Sequence, residues 1–287
     1  MDNPQKTHQD AEFDILYEAK TLFDIAAPTI VIQLSLFCTF PMAAAAVGRV
    51  LGTTELAAFS LGSLIANLTC LSILEGALSA ADTLMPRAYG VGRYAEVGRL
   101  AVRGSLVCVI LLLPPMLPLC FMADSILVAL GQDPEASLLA QEWIRVYFLG
   151  VPPNLVFRVL LRFLLAQHEP WPLVFSSAIP CVLIHPFLLR HFVPTAGLCG
   201  SAMAIVVTQW ATAILLVGYL HVFPPHKAAT WPGTSWAFLK DSLRWKPLKE
   251  FFALSVGGIF SMIEWWFFET MCFIAGYVPQ FPLGRLP

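Results

Sequence analysis

Two glutamates, Glu264 and Glu269, stand inside the stretch Ile263-Glu264-Trp265-Trp266-Phe267-Phe268-Glu269-Thr270-Met271. The segment around them, 251–278, is apolar and long enough to cross a bilayer. An ionisable side chain at membrane depth is costly and marks a functional site by default. Residues five apart on a helix are rotated by about 140°, so the two acids do not share a face. Glu269 follows Trp265 by four and Trp266 by three, which makes these side chains surface neighbours. A carboxylate flanked by indoles suits an organic cation, with charge pairing on one side and ring faces on the other. A carboxyl group also exchanges a proton. Proton and cation then compete for one acid, and that competition couples their opposite movements. The ordinary alternative is a structural acid bonded to a neighbouring helix, with the tryptophans anchoring at the bilayer surface.

Other polar groups within apolar runs are candidate cavity-lining residues: Glu75, Gln33, Asn67 and His185. Glu75 and Asp82 are seven apart, hence on one helical face, and Asp82 is expected at the helix end in a local ion pair with Arg87. Gln33 and Asn67 also suit plain interhelical hydrogen bonds. His185, next to Pro186, has the chemistry of a pH-titrating group and also that of a satisfied packing histidine. There is no metal-ligand cluster, P-loop, dinucleotide fingerprint or nucleophile triad, so no cofactor and no enzymatic activity are expected.

These residues must be positioned by membrane helices. The chain is 57% hydrophobic and only 13% charged, against about 25% charged in a soluble domain. Its net charge of −2 gives no basic surface for nucleic acid. The seven cysteines all lie in or beside apolar stretches without a CxxC pair, as small buried hydrophobes do. Apolar runs predict an all-α polytopic protein with spans at 25–47, 56–78, 104–123, 143–165, 170–189, 196–222 and 251–278. The fourth is interrupted by Arg145, Arg158 and Arg162, expected to snorkel toward headgroups from the span's ends. Prolines 28, 41, 114, 115, 118, 152, 153, 180 and 186 fall within spans, where each removes a backbone donor and tends to kink its helix.

Arg87, Arg93, Arg99 and Arg103 follow the second span, and Lys227, Lys240, Arg244, Lys246 and Lys249 precede the seventh. The loop after the third span carries Asp124, Asp133, Glu135 and Glu142 and no cation. Positive charge marks the cytoplasmic side, which puts the N-terminus inside, with Arg49 and Arg190 as weak exceptions. Seven-span receptors have the opposite orientation, and a retinal protein needs a lysine in its last span, where 251–278 has none. Residues 1–20 are polar and acid-rich without the basic and apolar regions of a signal peptide, and are expected to be a disordered cytoplasmic tail.

Five segments in register resemble the multidrug and toxic compound extrusion (MATE) family. They are Ala27-Pro28 with 47–61 (VGRVLGTTELAAFSL), Asp82-Thr83-Leu84 with 88–92 (AYGVG), 163–167 (FLLAQ) with Pro172, 197–202 (GLCGSA), and 264–269 (EWWFFE), the last similar to the seventh-helix signature of the eukaryotic branch. The resemblance implies twelve helices in two six-helix lobes around a central cavity, and exchange of organic cations, drugs or metabolites for protons or sodium. It assigns cation and proton handling to the seventh-helix acids, here Glu264 and Glu269. The chain departs from the pattern at Pro86-Arg87, where a Gly-Gln is usual. It also lacks an acid in 25–47, the residue of the bacterial members' mechanism.

On this reading the chain divides into a tail (1–20), a six-helix lobe (21–222), a cytoplasmic inter-lobe loop (223–250), span 7 (251–278) and an atypical ending (279–287). The expected function is a proton-coupled antiporter exporting organic cations, xenobiotics or small metabolites from a plasma or vacuole-type membrane. The alternative is a truncated, non-transporting membrane protein. The expected partners are a small, cationic solute, protons or sodium, the lipid bilayer, and a second copy or a full-length relative.

Overall fold

The computed structural model describes residues 4–223, 228–231, 233, 235–262, 266–267 and 271, with side chains from residue 17 onward except those of 18 and 25. Among them there is no strand. Helix α1 (Pro4–Val50) leads to α2 (Thr53–Ala66) and α3 (Ser72–Gly90), then α4 (Tyr94–Ala129), α5 (Pro134–Tyr147), α6 (Val151–Leu165), α7 (Trp171–Ala178), α8 (His185–Val222), the short α9 (Trp236–Ser242) and α10 (Trp245–Ser261).

The disordered tail expected for 1–20 is helical from Pro4, where α1 begins. Proline at the first position has no N–H to lose, and Gln5, Lys6, Ala11, Glu12, Leu16 and Lys20 all favour helix.

Five segments are long and apolar enough to span: Ala19–Val50, Thr53–Gly90, Tyr94–Ala129, Pro134–Leu165 and Trp171–Val222. The last has 52 residues. A straight helix of that size would be about 78 Å long, more than twice the hydrocarbon core. Gly197 divides it, with φ 59° and ψ −140°, a conformation that suits a residue without Cβ. The body therefore makes six crossings, and α10 begins a seventh.

Two spans are locally widened. Asn67–Leu71 forms a π-type turn joining α2 to α3, and Ile179–Ile184 forms another joining α7 to α8. The second contains Pro180, whose missing donor removes one helical bond. The prolines of α1 and α4 lie inside continuous helices.

Packing fixes the spans around one another. Trp143 on α5 stacks on Tyr147 at 5.1 Å, meets Phe59 of α2 edge-on at 5.4 Å, and donates its indole N–H to Ser201 Oγ of α8 at 2.9 Å. Helix α10 lies close against α3 through small residues. A Cβ on Gly76 would sit 2.6 Å from the Cα of Ile259, and Ser255 Oγ donates to the Ala77 carbonyl at 2.8 Å. Small residues at such a crossing let backbones approach where water-driven packing is absent.

Candidate functional site

The close contact at Gly76 puts α10 beside Glu75. That side chain leaves α3 toward α6, where Arg158 and Arg162 sit one helical turn apart, and both guanidiniums pair with it. Arg162 also reaches Asp82 through Nε at 3.3 Å. Arg158 is held from its own helix, donating Nε–H to Asn154 Oδ1 at 2.7 Å. Two acids seven apart on α3 thus face two bases four apart on α6, and both spacings put like-charged groups on one face of their helix.

This overturns two expectations. Arg158 and Arg162 do not snorkel: their side chains are 14% and 6% exposed. Carboxylates on α3 lie within their reach, and charge pairing there takes the place of extension to the headgroups. The ion-pair partner of Asp82 is Arg162, a residue of another span, and Arg87 lies instead on the exposed end of α3, lining a separate hollow with Arg93.

Glu75 lines a cavity of about 240 Å³ together with Gln33, Asn67, Asn154, Arg158 and Gln209. An adjoining cavity of about 520 Å³ shares Gln33, Asn67 and Glu75 and is closed on one side by Met262, at the end of α10. The structure therefore brings Gln33, Asn67 and Glu75 together from three helical segments. Asn67 owes its position to the π-type turn that it opens. His185 is fully buried: its Nε2 donates to the Thr39 carbonyl at 3.1 Å, and its Nδ1 is 2.8 Å from Thr208 Oγ1. Thr39 and Thr208 both line the smaller cavity, so the imidazole braces its wall from behind.

Of the seventh-span candidates, Trp266 is half-buried and helical, with its N–H bonded to the Met262 carbonyl at 3.3 Å. Glu264, Trp265 and Glu269 lie outside the described residues. Arg158, Arg162 and Asn154 were missed by sequence reasoning as site residues. The signal that finds them is the matched pair of spacings, acids at i and i+7 on one span and bases at i and i+4 on another.

A sequence model described as MatE matches residues 28–190. The chain belongs to the MatE family. That match takes in Gln33, Asn67, Glu75, Asn154, Arg158 and His185, and stops short of α10. MatE relatives include "Multidrug and toxin extrusion protein 1" of Rattus norvegicus, 31% identical over 93% of this chain and 46% of its own. "Multidrug and toxin extrusion protein 2" of Pongo abelii is 31% identical over 90% of this chain and 43% of its own. Among solved structures, the eukaryotic MATE transporter AtDTX14 superposes with a TM-score of 0.82 at 26% identity, covering 92% of this chain and 57% of that one. A MOP superfamily transporter from Pyrococcus furiosus shares the fold, with a TM-score of 0.72 at 17% identity over 85% of this chain and 52% of that one. The chain thus spans less than half the length of these curated relatives.

Proposed function

We propose that this chain forms one lobe and the opening helix of a second lobe of a secondary active antiporter. It exports organic cations, xenobiotics or small metabolites in exchange for protons. The observation that carries this reading is the position of Met262 on the wall of the cavity that Glu75 lines. Glu264 follows Met262 by two residues in the sequence. Relatives named for multidrug and toxin extrusion support the same class of solute. Glu269, four residues after Trp265 and three after Trp266 in the sequence, serves in this proposal as the acid for which cation and proton compete.

The test is uptake of a fluorescent organic cation into proteoliposomes holding the 287-residue chain under an imposed pH gradient. Gradient-dependent uptake is expected, and Glu269→Gln is expected to lower it by roughly a hundredfold, as for loss of a group on which the coupled step depends. Uptake that ignores the gradient or survives Glu269→Gln would overturn the reading. Inserted, folded protein with no uptake at all would instead favour the non-transporting alternative.

A further inference from the structure

The cavity beside α3 carries both signs of charge, and this selects the ligand that fits it. Among the described residues, Glu75 and Arg158 are the carboxylate and the guanidinium on its wall. Arg162 stands behind them, paired with both Glu75 and Asp82. Two carboxylates against two guanidiniums sum to zero. A lone organic cation that took Glu75 would strip Arg158 of its carboxylate and add a net charge within the spans, which is costly there. A lone anion on Arg158 creates the opposite imbalance. A molecule carrying both charges avoids both penalties. Its cationic end takes Glu75, its carboxylate takes Arg158, and the protein's ion pair opens around it while the total stays at zero. The surroundings suit such a guest. Gln33, Asn67 and Asn154 bring amides to the wall, and Phe37 and Phe40 bring aromatic side chains suited to a quaternary ammonium. A volume of about 240 Å³ restricts the guest to a small molecule.

We propose that this cavity is a binding site for small zwitterions, recognised through Glu75 and Arg158. It deepens the antiporter reading by naming zwitterions as a class among the small metabolites. It rests on that reading only for the solute being carried, because binding is measurable without transport.

Three probes of matched shape test it on the full chain in lipid nanodiscs by isothermal calorimetry: glycine betaine (zwitterion), choline (cation) and tert-butylacetate (anion). Glycine betaine is expected to bind at least tenfold more tightly than either of the others. Arg158→Gln is expected to abolish its preference over choline, and Arg158→Lys to retain part of it. Choline or tert-butylacetate binding as tightly as glycine betaine to the unaltered chain would overturn the proposal, with no variant needed. So would an unchanged preference in Arg158→Gln that unfolds at the parent's temperature. Preferential betaine binding without gradient-driven uptake would uphold this site while sinking the antiporter reading.

Discussion

Two groups of charges hold this chain together, and their settings differ. The inner group is Glu75 and Asp82 on α3 with Arg158 and Arg162 on α6. The outer group is Glu96, Arg99 and Arg103 at the start of α4 with Asp241 and Arg244 in and after α9. Burial of an arginine does not separate them: the side chains of Arg162 and Arg103 are both 6% exposed. What separates them is how the partners are arranged. Arg103 bonds Glu96 on its own helix at 2.5 Å and reaches across to the Ser242 carbonyl at 2.7 Å. Losing that contact frees a linker that has water beside it. Arg162 joins two membrane spans, and losing it leaves Asp82 without its partner on α6 and Glu75 with Arg158 alone. The same residue type therefore clamps a linker in one place and sets the wall of a cavity in the other.

The comparison breaks most visibly at Arg162. Arg162→Met is expected to cost about 3 kcal/mol of stability, the upper end for hydrogen bonds to a charged group, because Asp82 loses its partner and Glu75 keeps only Arg158. The measurement is unfolding in mixed micelles, monitored by circular dichroism. Adding Asp82→Asn to the same chain should recover most of the loss, since one carboxylate, Glu75, then faces one guanidinium, Arg158. A single-variant cost below about 1 kcal/mol would show that α3 and α6 do not depend on this pairing.

Arg103→Met tests the other arm. The expected cost is about 1.5–3 kcal/mol, the range for hydrogen bonds to a charged group. It should be local: proteolysis within 223–244 accelerates while the unfolding of the spans keeps its midpoint. Equal loss of protection in the spans would mean that the outer group supports the lobe as well as the linker.

Much of this architecture is legible in the sequence. Apolar runs at 25–47, 56–78, 104–123 and 143–165 fall inside observed helices, and the division of the last long segment coincides with Gly197. The helices run longer than the runs because residues such as Thr53–Glu55 and Tyr94–Arg103 continue the hydrogen-bonded spiral beyond the apolar core, where hydropathy gives no signal. Prolines overstate the breaks: Pro28 and Pro114 lie within unbroken helices, whereas Pro180 accompanies a π-type turn. Gln33, Asn67 and Glu75 stand out as polar groups in apolar runs, and they meet at one cavity. The partners of Glu75 are harder to read. Arg162 is 87 residues away, and local reasoning sent it to the nearest headgroup instead. Only the matched spacing of acids and bases on separate spans carries that information, and it becomes decisive once α3 is known to pack beside α6.

The smallest expected effect sharpens the comparison from its weak end. Arg244 is 74% exposed, and its guanidinium lies 3.5 Å from the Asp241 carboxylate. Arg244→Ala is therefore expected to change stability by less than about 1 kcal/mol. Asp241→Asn should cost slightly more, because the Asp241 carboxylate also forms an ion pair with the Arg99 guanidinium, 2.9 Å from its Nε. Raising salt should erase the difference between these two variants, since charges bathed in water are screened within about 3 Å at 1 M ionic strength. The same salt should shift the cost of Arg162→Met less, because the Arg162 side chain is only 6% exposed, against 74% for Arg244. A salt-insensitive outer group would mean that Asp241 is screened no better than Glu75, and the contrast between the two clusters would then rest on chain connectivity alone.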